Sequence, residues 1–199
     1  MNIRTYSLPI FIALTAVPLL ASCATAPSPT QPTTPTGISY VDEVIEAVQS
    51  GDPQALKTLF VLNTVPCTTE KWLLSQPLCT EGETAGTLVQ TLPTLSSDLG
   101  HLRIDEIGAW QGIGEAQLYA VYRTGPYTYA DEFFPSGEYA VAFIPEGSDF
   151  AFILQVTKEG IVRIDYCGVH LDICQGSTID EVLQEYESAF ILGPLPIGK

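Results

Sequence analysis

From residue 40 onward the chain alternates apolar and polar positions in patterns that mark out its elements one after another. Val41, Val44, Ile45 and Val48 recur at helical spacing, and Ser50-Gly51 ends that run. Asp52 then stands where an N-cap is wanted and Pro53 at the tolerated first helical position. Leu56, Leu59 and Phe60 supply the next apolar stripe, so two short helices are predicted in succession. "GTLVQTLP" reads as a strand, and "LSSDLGHLRIDEIGAW" as a short, interrupted helix. Three runs rich in β-branched and aromatic residues follow: "AQLYAVYRT", "GEYAVAFIP" and "DFAFILQVT". The last is apolar on both faces, as a central strand would be. A fourth run, "GIVRIDY", is joined to it by Lys158-Glu159-Gly160, a three-residue link with glycine where a hairpin needs positive φ.

The chain closes on "STIDEVLQEYESAFILGP". Thr178 and Glu181 have capping-box spacing, Ile179, Val182, Leu183, Tyr186 and Phe190 form one stripe, and Gly193-Pro194 ends it. The predicted fold is therefore α+β: a curved antiparallel sheet of four to five strands, with N-terminal helices and a C-terminal helix packed on it. No second linker interrupts residues 38–199, which are expected to form a single domain.

The first 37 residues follow different rules. "MNIRTYSLPIFIALTAVPLLASC" has a positive start at Arg4, an apolar stretch from Ile10 to Leu20 and small residues before Cys23, which is the layout of a secretory signal. The apolar stretch is short for a membrane span and is interrupted by Pro18. Leu20-Ala21-Ser22-Cys23 resembles the lipobox of bacterial lipoproteins. That resemblance implies a diacylglyceryl group on the Cys23 thiol, removal of residues 1–22, and anchoring by several acyl chains, each buried methylene contributing about 0.8 kcal/mol. Ala24 follows the cysteine in place of the Asp that marks inner-membrane retention in that family. The expected address is therefore extracytoplasmic: the outer membrane, or the outer face of the plasma membrane, of a bacterium. "ATAPSPTQPTTPTG" then gives four prolines and five threonines among residues 24–37, an extended tether reaching roughly 40 Å at about 3.1 Å per residue.

This address changes the cysteine count. Of five cysteines, four remain if Cys23 carries lipid, an even number for an oxidising compartment. Three connectivities are open, and local pairing of Cys67 with Cys79 and of Cys167 with Cys174 is favoured. Each small loop closed contributes roughly 2.5 to 3 kcal/mol on the chain-entropy model. The rival is a zinc site from Cys167, His170 and Cys174, completed by Cys67 or Cys79.

Charge narrows the partners. Arg4 is the only charged residue before Cys23, so the exported part holds seven basic and 23 acidic residues, a net −16. Such a surface repels phosphates, which argues against a nucleic-acid role and against electrostatic docking to anionic lipid. The membrane partner is instead reached through lipid on Cys23.

"SGDPQALKTLF" and the later "KEGIVRIDY" resemble the nuclear transport factor 2-like group over about residues 40 to 166. The group's curved sheet and helices form a cone around a pocket, and its members include enzymes acting on small molecules and non-catalytic binding or assembly modules. The cysteine loops and the C-terminal helix depart from that pattern.

No G-x-S-x-G, P-loop, H-E-x-x-H or S-x-x-K motif occurs, and nothing in the sequence calls for a cofactor or a resident metal. The weak catalytic candidates are Asp165, two residues from Arg163 on one strand face, and His101, which at helical spacing would share a face with Asp98 or Asp105. His170 beside Asp172 reads as a loop residue. The connection "TGPYTYADEFFPSGEY" is longer than a hairpin needs and places Tyr127, Tyr129, Phe133 and Phe134 beside Asp131 and Glu132. Aromatic faces with carboxylate acceptors suit a sugar or another amphipathic partner. The expected function is a non-catalytic binding or assembly domain at the cell envelope, with an envelope protein or a sugar as partner. The alternatives are a cone-fold enzyme acting on a small molecule and an accessory envelope protein with no small ligand.

Overall fold

The computed structural model describes residues 36–70, 76–95, 99–105, 116–124, 134–168, 179 and 189–196, all within one compact unit. Among the described residues two helices, α1 (Ser39–Ser50) and α2 (Pro53–Thr58), precede a mixed eight-stranded sheet. Its strands are β1 (Asn63–Pro66), β2 (Leu88–Leu95), β3 (Leu99–Arg103), β4 (Ala116–Arg123), β5 (Tyr139–Pro145), β6 (Phe150–Thr157), β7 (Gly160–Gly168) and β8 (Phe190–Leu192). The spatial order is β1-β2-β7-β6-β5-β4-β8, with β3 on the other edge of β2. Among the described residues no helix is long and apolar enough to cross a membrane.

The expected helices form for the expected reasons. Gly51 adopts φ 69° and closes α1 with its N–H on the Val48 carbonyl, while the Asp52 carboxylate accepts from the Gln54 N–H and caps α2. The fold reaches back into the tether, because the Thr36 N–H and hydroxyl both donate to Asp42 Oδ1 at 2.7 Å.

The helices cover one face of the sheet. Val41, Val44, Ile45, Val48 and Leu56 pack there with Leu92, Leu118, Val141, Phe143, Leu154 and Ile164, and Phe143 stacks on its cross-strand neighbour Phe152 at 5.3 Å. The opposite face is small and smooth where β4, β5 and β6 meet. Ala120, Ala140, Ala142 and Ala151 lie there with Ile144, Ile153 and Cys167, and Ile179 is buried against them.

Several expectations are corrected. The sheet has eight strands, not four to five, and it is mixed, since β2 runs parallel to β7 through Thr94–Ile164 and Leu95–Asp165. The predicted helix around His101 is β3, an extended strand. Leu102 and Ile104 pack on the core while His101 and Arg103 face the other way, a two-residue period that the short run concealed. His101 therefore shares no helical face with Asp105. Of the predicted C-terminal helix, Ile179 is helical and buried. Residues 180–188 lie outside the described residues, and Phe190–Leu192 is extended as β8, satisfying the open edge of β4. Strand β1, short and polar, was not anticipated.

The β6–β7 link is also tighter than predicted. Thr157 pairs with Gly160, leaving only Lys158 and Glu159 in the turn. Gly160 has φ 133°, and a Cβ there would stand 2.2 Å from the Leu59 carbonyl oxygen, which accepts the Ile161 N–H. The exit of α2 is thus laced to the start of β7 at a place that admits no side chain. Gly160→Ala is expected to destabilise by about 2 to 3 kcal/mol, read as a lowered midpoint in urea at unchanged slope. An unchanged midpoint would show that this approach carries no strain.

Candidate functional site

The tripeptide Arg-Ile-Asp occurs twice, at 103–105 closing β3 and at 163–165 within β7. In both copies the isoleucine turns to the helix-covered core. The arginine and aspartate, two residues apart, fall on the other face. Register brings the two copies to the same face, because Thr91 pairs with Arg103, Pro93 with His101, Leu95 with Asp165, and Gln155 with Arg163. One end of that face is therefore polar, and the alanine-lined end is not.

Arg163 is 5% exposed, so each of its donors needs an acceptor. Nε and Nη2 donate to the two oxygens of Asp165 at 2.6 and 3.0 Å, and Nη1 reaches the Phe134 and Pro135 carbonyls at 3.0 and 3.2 Å. The second Asp165 oxygen also accepts from Gln155 Nε2 at 2.7 Å, and Gln155 Oε1 accepts the Gly137 N–H at 3.1 Å. The network ties segment 134–137 to β6 and β7. Gly137 lies so close that a Cβ would stand 2.3 Å from the Val156 nitrogen.

Arg103 repeats the device elsewhere. Its Nε and Nη2 donate to Asp105, Nη1 and Nη2 to Glu83 at 3.0 and 2.9 Å, and Nη1 also to the Leu78 carbonyl at 3.1 Å. Leu78 and Glu83 flank Cys79, so this arginine holds the first cysteine loop on the sheet. Its guanidinium, followed by the Thr80 N–H, pulls the Glu83 carboxyl down to about 2, and it lowers Asp105 as well.

His101 lies between these two clamps. Its Nδ1 is 3.2 Å from the hydroxyl of fully buried Thr91, and its ring sits 5.3 Å from that of Phe134. His101 and Asp165, the two candidate acid–base groups, thus occupy one face; His101 packs on Phe134, and Asp165 is joined to that segment through Arg163 and Gln155. Asp165, however, already has both oxygens engaged by protein donors.

A third polar cluster lies where α1 meets β5. The Tyr40 hydroxyl donates to Glu138 at 3.0 Å, its ring is 5.9 Å from that of Tyr139, and Arg123 donates to the Tyr139 hydroxyl at 3.1 Å. Burial, then the Glu138 carboxylate, pushes the Tyr40 phenol up to about 12.

Cys67 and Cys79 form a disulfide with S–S 2.02 Å. Cys167 is disulfide-bonded too, and Cys174 lies outside the described residues. Three thiols of the alternative zinc set are thereby spent. Cys23, His170 and the loop residues Tyr127, Tyr129, Asp131, Glu132 and Phe133 also lie outside the described residues. Phe134, at the root of that loop, is 3% exposed, a packing ring and not an open stacking surface. Arg103, Glu83, Gln155 and Thr91 escaped the sequence reading. The doubled Arg-Ile-Asp was the available signal for the clamps.

No protein-family model, curated protein or solved structure matches the chain.

Two outcomes follow from the clamps. Asp165→Asn leaves the Arg163 charge buried without its counter-ion, and is expected to cost about 3 to 5 kcal/mol in chemical denaturation; a loss below about 1 kcal/mol would mean the pair is not a structural tie. The Glu83 carboxyl is held below its ordinary 4.5 in the folded state. Its contribution is therefore complete above about 4.5 and lost as pH falls towards about 2. The stability gap between the parent protein and Glu83→Gln should shrink across that window. A gap that stays constant would contradict the contact.

Proposed function

We propose that the chain is a lipid-anchored protein of the bacterial cell envelope whose domain binds or assembles and does not catalyse. The observation that carries the non-catalytic reading is the engagement of both Asp165 oxygens, which together take three hydrogen bonds from Arg163 and Gln155. A general acid or base needs an open position towards its substrate, and this carboxylate is spent on the fold. Export is supported by Leu20-Ala21-Ser22-Cys23, by the Thr/Pro tether and by the Cys67–Cys79 disulfide, a bond that persists in oxidising compartments. The partner proposed is an envelope protein or a sugar. It meets the Tyr127, Tyr129, Asp131, Glu132 and Phe133 connection, whose root at Phe134 is fixed by the Arg163 clamp.

The second reading is an enzyme of the nuclear transport factor 2-like kind. It is favoured by one observation, the meeting of His101 and Arg163-Asp165 around Phe134. Two N-terminal helices packed on one face of a largely antiparallel sheet support the resemblance itself. On this reading His101, not Asp165, would handle the proton.

Cys23→Ser tests the anchor. Expressed in a bacterium fed labelled fatty acid, the parent is expected to carry label and sediment with membranes, while the variant carries none and is released or left uncleaved. Labelling and membrane attachment unchanged in the variant would refute the anchor.

A further inference from the structure

The surroundings of the Cys67–Cys79 bridge contain more donors than a structural crosslink needs. Both sulfurs and a carboxylate oxygen of Glu83 lie within 4.8 Å of one another. The Thr84 carbonyl oxygen stands 3.5 Å from each sulfur. Two thiolates and a carboxylate make a three-donor set of the kind that suits a soft or borderline divalent cation with water in the fourth position, the Thr84 carbonyl being already engaged by the Thr87 N–H and hydroxyl at 3.0 and 2.7 Å.

These donors are held together by bonds that do not involve sulfur. The Cys67 N–H donates to Thr87 and its carbonyl accepts from Gly86, at 2.8 and 2.9 Å. Thr68 donates to the Pro77 carbonyl and accepts from the Cys79 N–H, at 2.8 and 2.9 Å. Arg103 fixes Leu78 and Glu83 on either side of Cys79. Glu83 Oε1 accepts a hydrogen bond from Arg103 Nη2 and has a second lone pair to offer. Opening the disulfide therefore leaves two thiols side by side in a loop that stays docked, where an unsupported loop would carry them apart.

We propose that Cys67 and Cys79, once reduced, form with Glu83 a binding site for one divalent cation of the Zn2+ or Cd2+ class. The bridge then acts as its redox gate. Cys67 is 2% exposed and Cys79 is half-exposed, so an incoming dithiol attacks the Cys79 sulfur. The S–S bond breaks, two electrons and two protons pass to the pair, and the dithiol leaves as its own disulfide. Cation binding then displaces the two thiol protons.

The test is a titration with Cd2+ alone, read by thiolate-to-cadmium charge-transfer absorption, on full-length Cys23→Ser protein before and after reduction. The reduced protein is expected to take up one equivalent more than the same protein carrying Cys67→Ser and Cys79→Ser. The oxidised protein should give no band. Comparing the two reduced proteins isolates this site from thiols released at Cys167. Equal uptake by both would overturn the proposal. So would a rise in amide exchange at residues 67–68 and 78–84 on reduction, which would show that the loop does not stay docked.

Discussion

A guanidinium has five N–H donors, and removing one from water costs several kcal/mol unless those donors and the charge are met inside the protein. All three nitrogens of Arg163 are met, by Asp165 and by the carbonyls of Phe134 and Pro135, and Gln155 adds a further donor to the carboxylate. This requirement fixes where the long β4–β5 connection returns to the sheet. Segment 134–137 is drawn onto the β6–β7 face, and Gly137 is the residue that permits so close an approach. Arg103 imposes the same constraint on the cysteine loop, using Glu83, Asp105 and Leu78. Two irregular segments thus hang from two arginines on one face, while the helices pack the other chiefly by apolar burial.

Much of this was legible from the chain. Helices α1 and α2 announced themselves because their caps are local, with Gly51 and Asp52 each acting within a few residues. Strands β4 to β7 were visible as long apolar runs, and local pairing of Cys67 with Cys79 was the favoured one of three connectivities left open once Cys23 was set aside. The misses have a common cause. Strands β1, β3 and β8 are three to five residues long, too short for a period of two to stand out. Each exists because a neighbouring strand offers an edge. The parallel pairing of β2 with β7 joins segments some seventy residues apart, and no local pattern reports it. Asp165 and His101 were singled out one at a time. What the sequence reading could not show is that the aspartate's partners include Gln155, ten residues away, and main-chain atoms of a loop.

The arrangement also separates two kinds of chemistry that composition alone confounds. Carboxylates beside arginines invite a catalytic reading, yet here the buried carboxylate completes a clamp that gives a loop its position. What the clamp positions, next to His101 and Phe134, is the root of the aromatic and acidic connection proposed as the binding element. A recognition loop requires rigid support at its root, since ordering it only on contact would weaken binding.

The central claim is that the Arg163–Asp165 pair exists to hold this loop root. It is tested most directly by amide hydrogen exchange on the protein carrying Arg163→Leu and Asp165→Leu, which removes both charges together and leaves no orphaned ion. Faster exchange at Gly137 and Glu138, with the β6–β7 ladder as protected as in the parent, is the predicted result. Unchanged protection at Gly137 and Glu138 would contradict the account.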